Sequence, residues 1–509
     1  MSAIEQRIEE LKEEVKTLMF STNDLAENLT LVDDLHRLGI YYHFEDEIRE
    51  AIRCINDHVE DGINDIRLVA LRFRLLRQEG YAVSPGMFNK FKDSEGKFKQ
   101  ELSYDVEGLI QMYEASMLGT NDEPILEEAM DFSRGHMERM LEVGEEPHSA
   151  QIRRALETPF HRGMRRLEAR LYIPVYAKSK SCNTTLLELA KLDFNHLQSI
   201  HRDEIQSFSV WWKELGLMHN LPFFRDRLAE CYFWSLGAWL EPRYSTERLF
   251  IAKLVNIITV LDDMYDAYGT IEELQLFTNV IERWDFQDVD GLPEYMRIFL
   301  NVFAGFMAEI EEELRKKGTL HHKHYIIETF KPLVRAYFQE AVWTNTGYKP
   351  IFEEYINVSL MSCAYPMFIS VSLCLAAEDL SIDTLDCLLS MPKILKASGI
   401  LCRIMDDLVS YEFERQRKHV DTCLEICMRD EGITEQEALA KLNKMVENAW
   451  KDINKECLNP FPSRKHLNML ALNYTRMMEV IYKHEDSYTN PEGQMKENIA
   501  LLLVRPIEE

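Results

Sequence analysis

A helix with no wet side that ends in three carboxylates constrains the fold of this chain more than any other stretch. From Leu249 to Leu261 the run LFIAKLVNIITVL is interrupted only by Lys253, Asn256 and Thr259. It is apolar nearly all round and belongs in the middle of a helical domain. It then meets Asp262, Asp263 and Asp266. On a helix Asp262 and Asp266 stand at i and i+4 and share a face, with Asp263 about 100° away. Gly269 ends the helix, and Thr270 with Glu273 fits the capping box of the next one. The three carboxylates repel each other at the negative end of the helix macrodipole, with no Lys or Arg within four residues on either side. A hard divalent cation removes that conflict. Mg²⁺ takes one or two carboxylates and completes its shell with water and substrate phosphate.

The rest of the chain reads as helix too. At 509 residues it exceeds one ordinary core, so two domains are expected. Residues 1–180 carry short amphipathic helices, among them Ile8–Met19, Ile66–Gln78, Val106–Ser116 and Glu127–Glu142, separated by turn residues such as Ser84-Pro85-Gly86. The small, polar stretch SKSCNTT at 179–185 marks the boundary, giving domains 1–182 and 183–509. Longer helices follow, including Leu249–Tyr268, Pro350–Ala377, Leu395–Lys418 and Lys465–Tyr482. Strand-like alternation is nearly absent, so the fold is all-α with two helical domains.

Charge and cysteine usage narrow the function. A net charge of −28 argues against nucleic acid and against an anionic membrane surface. An anionic substrate would then need metals and a local cluster of Arg. The ten cysteines include no CxxC pair, which is free-thiol usage in a reducing compartment. The apolar run around Pro366–Ala377 is too short to span a bilayer. The N-terminal helix MSAIEQRIEELKEEVKTLM has neither the apolar core of a signal peptide nor the acid-poor look of a transit peptide. A soluble, cytoplasmic, monomeric protein is the expectation.

Three further constellations carry chemistry. Asp406, Ser410 and Glu414 fall at i, i+4 and i+8 on one helix face, with Arg403 and Arg417 extending the stripe. Their oxygen donors suit Mg²⁺ or Mn²⁺ rather than zinc, although an exposed salt-bridged face has the same pattern. Arg225 and Arg227, after Pro222-Phe223-Phe224, offer two guanidinium forks that match phosphate oxygens; a surface ion pair with Asp226 is the plain alternative. Aromatic residues (Trp234, Tyr365, Tyr482 and Tyr488 among them) have faces that stabilise a nearby cation by about 0.5–2 kcal/mol each, although most aromatics in a helical protein are core. No HExxH, P-loop or GxSxG is present, and His321, His322 and His324 lie in a loop with no partner ligands in sequence.

With these residues in view the chain resembles the plant terpene synthase family over nearly its whole length. The DDxxD motif is Asp262-Asp263-Met264-Tyr265-Asp266, and the second metal motif, (N/D)Dxx(S/T)xxxE, runs from Asp406 to Glu414. RxR is Arg225–Arg227, about 35 residues before DDxxD; RLGIYYHFEDEI at 37–48 and RWD at 283–285 also look like the family's phrases. The resemblance implies a C-terminal class I terpenoid synthase α-bundle behind an N-terminal α-barrel-like domain without its own active site. It implies three Mg²⁺ ions, with Asp262 and Asp266 holding two and Asp406, Ser410 and Glu414 the third, and Asp263 in support. Arg225, Arg227 and Arg403 look like diphosphate clamps. Trp234, Tyr365 and Tyr488 would line the pocket, with Asp486 and Tyr488 resembling the Asp-x-Tyr pair near the lid. No DxDD motif is present, so protonation-initiated cyclisation is not expected. Many relatives carry an RRx8W strip ahead of the first helix that this sequence does not contain. The expected substrate is farnesyl diphosphate, giving a sesquiterpene. Geranyl diphosphate is the near alternative, and a non-catalytic helical metal-binding protein is the reading from a different class.

Overall fold

The computed structural model describes residues 3–21, 24–57, 63–144, 148–221, 223–377, 380–414, 421–458 and 464–508, with only the backbone of 412–414. Among them there is no strand, only an isolated bridge between Lys92 and Phe98. The chain separates into two compact units, residues 1–200 with 454–460 and 500–509, and residues 201–453 with 461–499.

In the first unit α1 (Leu25–Arg37), α2 (Ile66–Gln78) and α3 (Val106–Ser116) pack in succession, and α4 (Arg165–Tyr176) lies against α1. Asp24, Asp65 and Asp105 each accept backbone N–H groups at the starts of α1, α2 and α3, which is why those helices begin where they do. The unit then takes the first half of α5 (Thr184–Glu214). The division falls inside this helix rather than at the polar stretch 179–185, for a physical reason. Asp193 accepts from Tyr42, the carbonyl of Phe194 accepts from Arg166, and Asn195 and Gln198 bond the backbone of 501–507.

This unit buries charge. The guanidiniums of Arg37, Arg74 and Arg165 lie 4.7, 5.8 and 4.1 Å from the centre of the Phe160 ring. Burial alone would raise Asp33, but Arg37 and Arg74 outweigh it and hold the carboxyl down to about 2. Its neighbour Asp34 is pushed up to about 7 by burial and by the charge of Asp33, against hydrogen bonds from Tyr176 and Tyr172. The two act on stability with opposite signs. Stabilisation from Asp33 is full above its unfolded value of 3.8 and is lost as pH falls towards 2. Asp34 takes up its proton on folding, so stability declines as pH rises from 3.8 to about 7 and stays lower beyond. Asp34→Asn should therefore raise the thermal midpoint more at about pH 8 than at about pH 5. An equal shift at both would refute a buried, proton-holding Asp34.

The second unit surrounds an apolar pair. These are α6 (Leu228–Ala238) and α7 (Ser245–Asp263), the segment that is hydrophobic all round; Ile251, Leu254, Ile257 and Val260 are fully buried. After α8 (His322–Thr346), the predicted helix 350–377 is not one helix. It breaks into α9 (Phe352–Ser362) and α10 (Tyr365–Ala376), with Ala364 at φ +61° between them. Pro366 is the reason: it has no N–H, and its ring would clash with the carbonyl of Ser362 in a continuous helix. The stretch 352–376 is long and apolar enough in composition to cross a bilayer, but 83% of its most apolar window is buried in the protein. α10 touches α7, α8, α9, α11 (Lys393–Glu414) and α13 (Lys465–Ile481), and α12 (Cys423–Glu431) packs on α9 and α11. His322 is part of this core, opening α8 rather than lying in a loop, its Nδ1 2.8 Å from the carbonyl oxygen of Cys374.

Candidate active site

α7 delivers its carboxylates into a cavity of about 850 Å³ within the second unit. The delivery is not α-helical to the end. After Asp263 the chain winds as one π-helical turn, Met264–Tyr268, closed by the Gly269 N–H donating 2.9 Å to the carbonyl of Met264. The i, i+4 face expected for Asp262 and Asp266 is thereby rewound, and such turns mark functional positions often. Both carboxylates line the cavity. The capping box of Thr270 and Glu273 forms as predicted and fixes the exit of the turn.

Asp263 faces away and is 5% exposed. It holds Arg225 through the Arg225 backbone N–H (2.8 Å), Nε (3.0 Å) and Nη2 (2.8 Å), and Nη2 is also 3.6 Å from Asp262. The relief for the acidic cluster that is missing from the local sequence thus comes from residue 225. Arg227 does not face the cavity. Its guanidinium donates to the carbonyls of Tyr488 (2.9 Å), Thr489 (2.7 Å) and Asp226 (3.2 Å), so it pins the 488–489 segment. Asp486, which lines the cavity, accepts from the N–H groups of Tyr488 and Thr489 and folds the same segment.

The opposite wall is α11. Arg403 pairs with Asp406, and its Nε lies 2.6 Å from Asp407. Asp407 is 1% exposed and also accepts from Tyr355 Oη (2.6 Å) and the Cys423 N–H (2.7 Å). Asp406 and Ser410 line the cavity, and the buried Ser410 Oγ has no hydrogen-bond partner among the described residues. Glu414 stands in the last turn of α11 with its side chain outside the described residues, as is Arg417.

Trp234 and Tyr488 line the cavity with their rings T-shaped at 5.3 Å, and Tyr488 Oη is fixed 2.5 Å from Thr259 Oγ1. Tyr365 is not on the cavity. It backs Trp234 at 6.1 Å and spends its hydroxyl on the carbonyl of Tyr474, because it opens α10 on the core side of the break. Sequence reasoning missed Glu340, Tyr337 and Tyr355, which also line the cavity, as does Tyr482, one of the aromatics singled out as able to face a cation. Glu340 sits inside α8 with no acidic neighbour in sequence to signal it.

The electrostatics fit a cation. Burial in the cavity wall and the neighbouring Asp266 and Asp263 push Asp262 up to about 7 despite Arg225. Burial likewise takes Glu340 up to about 8, with Asp262 and Asp266 adding to it against a hydrogen bond from Ser362. Among the described residues no three acidic, His or Cys side chains converge on one point. That suits Mg²⁺, which needs few protein ligands when water and phosphate supply the rest.

Residues 1–156 match the terpene synthase N-terminal domain family, and residues 213–452 match the terpene synthase metal-binding domain family. A (−)-germacrene D synthase of Vitis vinifera is 43% identical over 99% of this chain and 91% of its own, and an alpha-humulene synthase of Zingiber zerumbet is 43% identical over 98% and 91%. Among solved structures, isoprene synthase from grey poplar, in complex with three Mg²⁺ ions and dimethylallyl-S-thiolodiphosphate, superposes with a TM-score of 0.94. The pair is 32% identical over 100% of this chain and 98% of that one. A limonene synthase with 2-fluorolinalyl diphosphate gives 0.95 at 31% identity, covering 100% and 95%.

Proposed function

The chain belongs to the terpene synthase family, and we propose that it ionises farnesyl diphosphate with Mg²⁺ to give a sesquiterpene and free diphosphate. One observation carries the reading: Asp262 and Asp266 on one wall and Asp406 and Ser410 on another share a single cavity with Arg225, Arg403 and an aromatic lining. Bound Mg²⁺ supplies Lewis-acid stabilisation of the departing diphosphate. Asp262, Asp266, Asp406 and Ser410, with Glu414 by motif, would hold it, and three ions with Mn²⁺ as a substitute belong to the same proposal. Arg225 and Arg403 bind the diphosphate oxygens as charge develops on them. Trp234 and Tyr488 present π faces to the allylic cation, and the aromatic wall keeps water from it. The sesquiterpene names of the relatives, each 43% identical, favour the fifteen-carbon substrate.

The test is gas chromatography–mass spectrometry of products from purified protein with Mg²⁺, given farnesyl and geranyl diphosphate separately. Sesquiterpenes from the former are expected. Turnover of geranyl diphosphate alone would correct the substrate, and turnover of neither would return the protein to the non-catalytic class.

Ser410 gives a sharper check. Its Oγ is buried without a partner among the described residues, so Ser410→Ala removes none of the hydrogen bonds seen there and should leave stability unchanged or slightly improved. The Mg²⁺ concentration for half-maximal turnover should rise about tenfold, within the 10–100-fold range of site-adjacent metal losses. Lost stability with unchanged Mg²⁺ dependence would make Ser410 a packing residue.

A further inference from the structure

Two of the free cysteines meet inside the cavity. Cys363 follows α9 at the break before α10, and Cys402 projects from α11. The two thiols are neighbours across the α9–α11 contact, and both line the cavity beside Arg403 and Asp406. The close approach has a sequence cause. Residue 399, one turn before Cys402 on the same face of α11, is glycine; a Cβ there would lie 3.0 Å from Leu360 Cδ2 and 3.6 Å from the Cys363 sulfur, so the missing side chain lets the end of α9 sit against this face. Leu360 fixes that sulfur from the other side, its carbonyl accepting from the thiol at 3.4 Å. Cys402 is 6% exposed, whereas Cys363 is half-buried, so a small oxidant entering the cavity reaches Cys363 first.

We propose that Cys363 and Cys402 are an oxidisable dithiol that closes to a disulfide under a peroxide and switches the site off. Only the activity readout rests on the function proposed above. In the first step the Cys363 sulfur attacks a peroxide oxygen. The O–O bond breaks, one water leaves, and Cys363 becomes a sulfenic acid. The Cys402 sulfur then attacks the Cys363 sulfur, the S–O bond breaks, and a second water carries off the oxygen. Two thiols and one hydrogen peroxide become one disulfide and two waters, the sulfurs giving up the two electrons. An external dithiol reverses the bond by exchange. Transient disulfides of this kind are the ones a reducing compartment tolerates.

Closing the bond brings the sulfurs to about 2 Å, so α9 and α11 must shift towards each other by a distance on the order of an ångström. Arg403 is the next residue after Cys402, and Asp406 lies one turn on. A displacement of that size at a catalytic wall costs on the order of 10²-fold in rate.

The experiment uses the full chain, treated with limiting hydrogen peroxide, capped with an alkylating reagent and digested for mass spectrometry, with turnover followed in parallel. The expected result is a Cys363–Cys402 cross-linked peptide two hydrogens lighter than the free pair. Turnover should fall on the order of 10²-fold and return with dithiothreitol. Cys363→Ala and Cys402→Ala should each keep their own starting activity through the same treatment. Recovery of both cysteines separately alkylated overturns the proposal. So does a cross-link that leaves turnover unchanged, or a Cys363→Ala variant as peroxide-sensitive as the parent. A cross-link in protein that turns over no prenyl diphosphate upholds the dithiol and sinks the functional reading instead.

Discussion

Asp262→Ala will lower Mg²⁺-dependent diphosphate release by about 10³-fold or more without unfolding the protein. The first half follows from position. Asp262 lines the cavity beside Asp266, and its carboxylate is what it can offer a metal at that wall. The second half follows from the electrostatics. Asp262 is held up to about 7 by burial and by Asp266 and Asp263, so at neutral pH it is a strained participant in a repulsive cluster. Removing it relieves Asp266 and Glu340, and Arg225 keeps its bonds to Asp263. The variant should melt at or above the parent's temperature, a trade of stability for function that active sites show commonly. Release assayed by phosphate colour after pyrophosphatase, with a thermal melt on the same sample, checks both. Metal-dependent release that survives the substitution would remove Asp262 from the chemistry.

The sequence was most readable where one helix decides the matter alone. The apolar run 249–261 had to be central, the three aspartates after it were in electrostatic conflict whatever surrounded them, and Thr270 with Glu273 makes a local cap. What could not be read depends on the azimuth of one helix against another. Arg225 and Arg227 are two residues apart and chemically identical, yet one meets Asp263 and the other the carbonyls of 488–489. Tyr365 looked like a pocket residue by type, but the break at Ala364 starts α10 with that ring pointed at Tyr474. Glu340 lies in α8 among ordinary neighbours, and only the packing of α8 beside the π-helical turn brings it to Asp262 and Asp266. That π turn is itself a one-residue change in winding, which periodicity cannot register.

The two acidic doublets divide their labour in the same way. Asp262 and Asp406 face the cavity; Asp263, off its wall, and Asp407, which borders it but is 1% exposed, each hold an arginine that lines it. A step of about 100° along a helix produces this split without further design. Asp407 is the stronger case because it serves three partners: the Arg403 guanidinium, Tyr355 Oη and the Cys423 N–H at the start of α12. Asp407→Ala strands Tyr355 Oη and the Cys423 N–H in the interior, leaves Arg403 to Asp406 alone, and should cost about 3–5 kcal/mol, as broken buried ion pairs do. Tyr355→Phe removes one hydrogen bond and leaves the ion pair, so it should cost about 1–3 kcal/mol. The two variants also separate structure from function. With Asp407 gone, Arg403 is held by Asp406 alone and loses its aim, and the affinity for inorganic diphosphate at saturating Mg²⁺ should fall about 10–100-fold. Tyr355→Phe should stay within a few-fold of the parent. Calorimetric titration of diphosphate alongside chemical denaturation reads both quantities. Equal diphosphate affinity in Asp407→Ala and the parent would mean that Arg403 reaches its ligand without being aimed, and that Asp407 serves the fold alone.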